Sequence, residues 1–382
     1  MKRVFLTITV LITLVVLPFP VQAAGLQVAG KSSLLMDVAT GTVLQESNAH
    51  EKLAPASVTK VMTMLLIMEA VDSGKIAMTD LVTASETAAA KGGSQIYLKA
   101  GETMTVSDML KSIAVSSAND CACAMAEHIA GSEEAFVSRM NEKAAQLGMQ
   151  DTHFVNCTGL DDGANAAEHK TSAHDIALMS RELLKNHPGV KKFTTIWMDT
   201  VRNGTFGLSN TNKLVRFYQG ATGLKTGFTS GAGYCLSATA QRDGMELIAV
   251  VMGAETSASR NAACKQLLDY GFANFTVIQP ELPEAEPIAV KLGKQDTVDA
   301  VLGETGGILL DKAQKSAVSM ELSVEESVTA PVSQGQRLGT LTVKAGEQIL
   351  KEVPLVAAEG VERLTFGNLF GKVFRRAAMA KA

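Results

Sequence analysis

The run Val61-Met-Thr-Met-Leu-Leu-Ile-Met68 is apolar on nearly every side. A helix without a polar face cannot sit on a surface, so this one has to be buried and the chain has to be built around it. The turn before it nevertheless carries Ser57 and Lys60, which at i and i+3 share one helix face. A lysine at the mouth of a buried helix is costly unless it is paired or gives up its proton. A neutral lysine is a base, and a base beside a hydroxyl makes serine a nucleophile. Taken alone, the pair also reads as a serine N-cap followed by an ordinary first-turn lysine. It is the one Ser-x-x-Lys in the chain, so its meaning rests on partners elsewhere.

The length of 382 residues exceeds one typical domain and predicts two. With 46% apolar and 19% charged residues the composition is globular, and 32 glycines with only 5% aromatics suit a mixed helix-and-sheet protein with tight turns. A net charge of −4 offers no overall attraction for nucleic acid, which is excluded as a partner. Residues 1–23 read as a signal peptide: Lys2 and Arg3, an uncharged Val4–Leu17, then Pro18, Pro20 and a small-residue Val21-Gln22-Ala23. Val4–Leu17 as a helix reaches only about 21 Å, short of a bilayer core of roughly 30 Å, so export is expected. Five cysteines, an odd and sparse set, do not make a disulfide framework. Most read as small buried apolar residues, while a catalytic Cys157 would need a histidine beside it, which spacing does not decide.

In chain order, Ser32–Asp37 and Thr42–Gln45 read as a hairpin about Ala39-Thr-Gly41. Helices are expected from the Ser57 turn to about Asp72, over Asp108–Val115, Asp120–Ala130, Ser132–Gly148 and Ser172–Asn186, the last capped by Ser172. Gly223–Thr229, Tyr234–Ala240 and Met245–Met252 predict an antiparallel meander of three strands, followed by a helix over Arg260–Phe272. Three of the nine prolines fall within 279–287, marking a linker. Beyond it Val318, Met320, Leu322 and Val324 alternate with small or polar residues, as do Leu341 and Val343, which predicts a small all-β domain over 288–362. In the tail 363–382, Leu369, Phe370, Val373 and Phe374 cluster on one helical face beside Lys372, Arg375, Arg376 and Lys381.

Two further motifs join Ser57 and Lys60. Ser117-Ala-Asn119 breaks a helical stretch, and Lys225-Thr226-Gly227 lies on a predicted strand. Each has a plain reading, as a helix cap and as a solvated strand lysine. In the order Ser-x-x-Lys, Ser-x-Asn, Lys-Thr-Gly, the set resembles the serine D-alanyl-D-alanine carboxypeptidases, the low-molecular-mass penicillin-binding proteins. The resemblance extends over Ala54–Lys60, Val115–Asp120, Asn156-Cys-Thr-Gly-Leu160, Gly223–Thr229 and Leu267–Phe272.

That resemblance implies an α+β fold: a β-lactamase-like transpeptidase domain over 24–278, an antiparallel sheet flanked by helices, then the linker, the β domain and an amphipathic membrane-associating tail. It implies that Ser57 attacks the carbonyl between two D-alanines and that Lys60, held neutral by burial and neighbouring positive charge, takes its proton. Ser117 and Lys225 would relay a proton to the leaving amine, and Asn119 would bond the substrate peptide or the Lys60 region. The N–H groups of Ser57 and Phe228 would form the oxyanion hole. Gly227 would let a substrate strand approach closely, and Thr226 with Arg260 would hold the terminal carboxylate. The implied partners are the peptidoglycan pentapeptide stem, β-lactam antibiotics and the outer face of the cytoplasmic membrane; no cofactor is implied. The chain departs from many relatives in carrying Phe228 where they have histidine and Cys157 where others have proline. A serine β-lactamase or a non-catalytic cell-wall scaffold are the competing readings, and six histidines without His-x-x-x-His spacing do not support a metallopeptidase.

Overall fold

A computed structural model describes residues 26–367 apart from 164, 285 and 305. The leader expected at 1–23 and the tail beyond 367 lie outside the described residues. Ser32–Asp37 (β1) and Val43–Ser47 (β2) form the expected hairpin. The all-apolar run is the helix Lys60–Asp72 (α1), entered through a 3-10 turn over Ala56–Thr59. It is followed by Val106–Ser116 (α2), Asn119–Ala130 (α3), Glu133–Gln146 (α4) and Ala173–Asn186 (α5). Ser132 and Ser172 accept the N–H of Ala135 and Asp175 and so cap α4 and α5.

The predicted meander is Ala221–Thr229 (β3), Gly233–Arg242 (β4) and Met245–Ala254 (β5). The N-terminal hairpin closes onto it, giving a sheet of order β2-β1-β5-β4-β3 with every pair antiparallel. Alternation along the strands feeds two cores. Leu34, Met36, Ile248 and Val250 pack with α1, which is buried from Lys60 to Met68. Leu35, Leu247, Ala249 and Val251 pack against Leu267 and Leu268 of the helix Ser257–Asn274 (α6). α6 begins three residues before the predicted start because Thr256 and Ser259 form a reciprocal capping box. The outcome is a sheet between helical layers, with β3 on its edge.

Phe275–Ile278 (β6) leaves α6 and pairs with a strand from beyond the proline-rich stretch. The later strands are Ile288–Lys291 (β7), Thr297–Val298 (β8), Ala300–Leu302 (β9), Ile308–Asp311 (β10), Val318–Val324 (β11), Ser327–Thr329 (β12), Arg337–Ala345 (β13) and Gln348–Ala357 (β14). β6 pairs with β10, β8-β7-β12 make one sheet and β9-β14-β13-β11 another. Leu341 and Val343 are fully buried as their alternation predicts, while Val324, at the end of β11, is 38% exposed.

Candidate active site

Ser57 lies on the 3-10 turn, one residue after Ala56, whose φ of 48° is left-handed and strained for a residue with a Cβ. Lys60, wholly buried, sets its Nζ 2.9 Å from Ser57 Oγ and donates to the carbonyl of Thr158 at 2.8 Å. Burial pushes the Lys60 ammonium down to about 7. The positive neighbour expected to share in this does not: Lys225 is itself driven well below its usual value, by burial first and then by Lys60 and Arg260.

Ser117 ends α2 in the left-handed region at φ 63°, and Ala118, not Ser117, takes the N-cap position of α3. Its Oγ is buried with no protein partner. Asn119 turns its side-chain nitrogen to the Gly92 carbonyl at 2.7 Å, an acceptor that identifies that atom as the donor, and its Oδ1 is left buried and unpartnered. A buried polar atom without a partner costs about 1–3 kcal/mol. Two of them, a hydroxyl and an amide oxygen, lie in one break between helices.

β3 forms the facing wall. Lys225 is buried and donates to the Thr226 carbonyl at 2.9 Å. Thr226 Oγ1 donates to Thr211 Oγ1 at 2.7 Å, and the Thr211 N–H donates to the Val115 carbonyl, which ties the strand to the end of α2 beside Ser117. Gly227 has a reason in addition to the one expected. A Cβ there would lie 2.6 Å from the Pro55 carbonyl oxygen and 3.1 Å from Ser57 N, so the missing side chain makes room for the Ser57 turn. Phe228 is 54% exposed and lays its ring 4.3 Å from that of Tyr234. Arg260 is no surface arginine: it is buried, its guanidinium lies over Tyr234 and donates to Ser257 Oγ and Asn261 Oδ1.

The loop 156–160 is a component whose role sequence reasoning did not find. Asn156 Oδ1 accepts from Thr158 N and Gly159 N, folding the loop so that the Thr158 carbonyl meets Lys60. Gly159, at φ 82°, runs so close to the Ser57 turn that a Cβ would stand 1.9 Å from the Ala56 oxygen. Cys157 is no nucleophile. Burial, then the Glu133 carboxylate, holds its thiol well above the usual range. The other four cysteines are likewise buried and unpaired in disulfides.

The arrangement holds a hydroxyl with a near-neutral amine, a second buried hydroxyl, a sheet edge, and a second buried lysine with its charge suppressed beside a buried arginine. It is suited to acyl transfer from a substrate ending in a carboxylate. The profile of the D-alanyl-D-alanine carboxypeptidase family matches residues 19–256, and that of the C-terminal domain of penicillin-binding protein 5 matches residues 276–363. The chain is 46% identical over 343 residues to the D-alanyl-D-alanine carboxypeptidase DacF of Bacillus subtilis (strain 168), covering 88% of this chain and 87% of that one. Among solved structures it is similar to a peptidoglycan synthesis regulatory factor (PBP3) from Streptococcus pneumoniae, with TM-score 0.74, 30% identity and coverage of 88% and 100%. It is also similar to penicillin-binding protein D2 from Listeria monocytogenes in its ampicillin-bound form, with TM-score 0.59, 31% identity and coverage of 65% and 99%.

Proposed function

Because the chain belongs to the D-alanyl-D-alanine carboxypeptidase family, we propose that it removes the terminal D-alanine from peptidoglycan pentapeptide stems through an acyl-enzyme on Ser57. The observation that carries this reading is the Ser57–Lys60 contact of 2.9 Å, made to an amine that burial brings to about 7. In its neutral form Lys60 takes the Ser57 proton as Oγ bonds to the carbonyl carbon between the two D-alanines. The backbone N–H groups of Ser57 and Phe228 stabilise the oxyanion. The C–N bond then breaks, and the leaving amine receives its proton through Ser117 and Lys225. Water releases the shortened stem from Ser57. Thr226, Lys225 and Arg260 receive the terminal carboxylate, whose charge favours the protonated form of Lys225 that burial disfavours in its absence. Asn119 Oδ1, free of any protein donor, accepts an N–H of the substrate peptide.

A β-lactam presents the same acyl and carboxylate groups, so it acylates Ser57 in place of the stem. Incubation with a muramyl pentapeptide should release D-alanine, and intact mass after penicillin treatment should show a single adduct. An adduct that persists in Ser57→Ala would reassign the nucleophile.

The site of action is the cell wall, outside the cytoplasm. Residues 1–23 serve as the export signal, and the tail, with apolar Leu369, Phe370, Val373 and Phe374 and four basic residues, associates with an anionic membrane surface. Among the described residues no helix is long and apolar enough to cross a membrane. Mature protein should sediment with anionic vesicles, and truncation after Glu362 should release it; equal sedimentation of the truncated chain would remove the tail as the anchor.

A further inference from the structure

The carbonyl that orients Lys60 sits on a loop with no strand or helix to hold it, and its anchorage leads to a residue outside the cleft. Glu133, at the start of α4, accepts with Oε1 both the N–H and the thiol of Cys157, each at 3.2 Å. Its Oε2 accepts from Lys91 Nζ at 2.5 Å. Burial alone would raise the Glu133 carboxyl, but the hydrogen bonds from Lys91 and Cys157 outweigh it and hold the group ionised. On the other side of the loop Thr63 Oγ1 donates to the Cys157 carbonyl at 2.6 Å. Cys157 is therefore gripped on both its donors and its acceptor, and the next residue supplies the carbonyl that Lys60 meets.

We infer that Glu133 is a positioning residue for the base: by holding Cys157 it sets the Thr158 carbonyl, which directs the Lys60 lone pair at Ser57. This rests on Lys60 acting as the base. A neutral amine has two N–H groups and one lone pair. With one N–H given to Thr158, the lone pair is free to face Ser57 Oγ; without that acceptor, the amine rotates freely. Release of Cys157 leaves a buried N–H unpaired, and the loop must move outward to satisfy it. Gly159 packs too closely on the Ser57 turn to absorb such a movement locally, so water reaches Lys60 and its charged form regains hydration. The other charged and titratable groups around the pair are Asp120, Lys225 and the buried His169 near Lys60, and Cys123 and Glu127 beside Glu133. The Asp120 carboxylate is already bound by the N–H groups of Ile96, Leu98 and Cys121.

Two conservative variants separate reach from charge. Glu133→Asp keeps the charge but withdraws it by about 1.5 Å, one C–C bond, so it no longer spans from Lys91 to Cys157. Glu133→Gln keeps the reach and one acceptor oxygen for Cys157 but loses the charge, and its NH2 cannot accept from Lys91. The measurement is the second-order rate of Ser57 acylation by a penicillin against pH, normalised to folded protein. Glu133→Asp is expected to move the acidic limb upward by about one unit, an approximately tenfold slower acylation below the limb, with Glu133→Gln within about twofold of the parent. A profile unchanged in both variants, or displaced in Glu133→Gln, overturns the inference. An acidic limb missing from the parent protein would instead overturn Lys60 as the base, so the two failures are distinguishable.

Discussion

The region that carries the cleft and the later β region obey different rules. Among the described residues, the buried side-chain atoms without a partner are Ser32 Oγ, Asp37 Oδ1, Ser117 Oγ and Asn119 Oδ1, all before β3. Two buried lysines and a buried arginine face the same space, and Ala56 and Ser117 hold strained left-handed backbone. Beyond β6 the apolar clusters consist of residues such as Val290, Leu338, Leu341 and Val353, the alternating inward positions of short strands. The β13–β14 ladder carries two register shifts and Leu292 is also left-handed, but the ion pairs there, such as Lys344 with Glu321 and Lys351 with Glu304, lie on the surface. Surface pairs of this kind contribute little to stability. Two of the four unpartnered atoms, Ser117 Oγ and Asn119 Oδ1, lie together at the break between α2 and α3, and among the described residues none lies beyond β6.

The sharpest break of that contrast is at Lys60. Lys60→Arg should lower acylation about a hundredfold or more, nearly as far as Lys60→Ala, because a guanidinium keeps the charge and cannot act as the base. In the parent protein the acylation rate should fall with acid below pH about 7, where Lys60 takes up its proton. Near-normal acylation by Lys60→Arg would make the lysine purely electrostatic. Ser117→Ala should slow D-alanine release by about tenfold to a hundredfold and leave the melting temperature unchanged or slightly raised, since the hydroxyl it removes has no partner to lose. A clear drop in stability would show that Ser117 is structural.

Gly227→Ala places a Cβ against the Pro55 carbonyl; overpacking of this kind costs about 1–3 kcal/mol. Because the strain falls on the Ser57 turn, acylation should fall along with stability in a melting and rate series. Leu341→Ala in β13 should cost about 2–5 kcal/mol as a core truncation, while acylation per folded molecule stays unchanged. A loss of specific activity there would mean that the β region shapes the cleft.

The amino-acid sequence alone determined the elements and the chemical groups. Alternation with a period of two marked β11 and β13, turn residues marked the hairpin and the meander, all-round apolarity marked α1 as buried, and a serine cap marked where α5 begins. The spacing of Ser57 and Lys60 put a hydroxyl and an amine on one face, and the Ser117 and Lys225 motifs identified the other walls. These signals are legible because they repeat locally or lie within one turn of helix. Closure of the hairpin onto β5, burial of Arg260 against Tyr234 and the close approach of Gly227 to the Ser57 turn were decided only when distant segments met. The Thr158 carbonyl is the clearest case. Every residue carries the same backbone acceptor, so no side chain announces which one will face a buried lysine, and only the tertiary packing of the loop under α4 selects it.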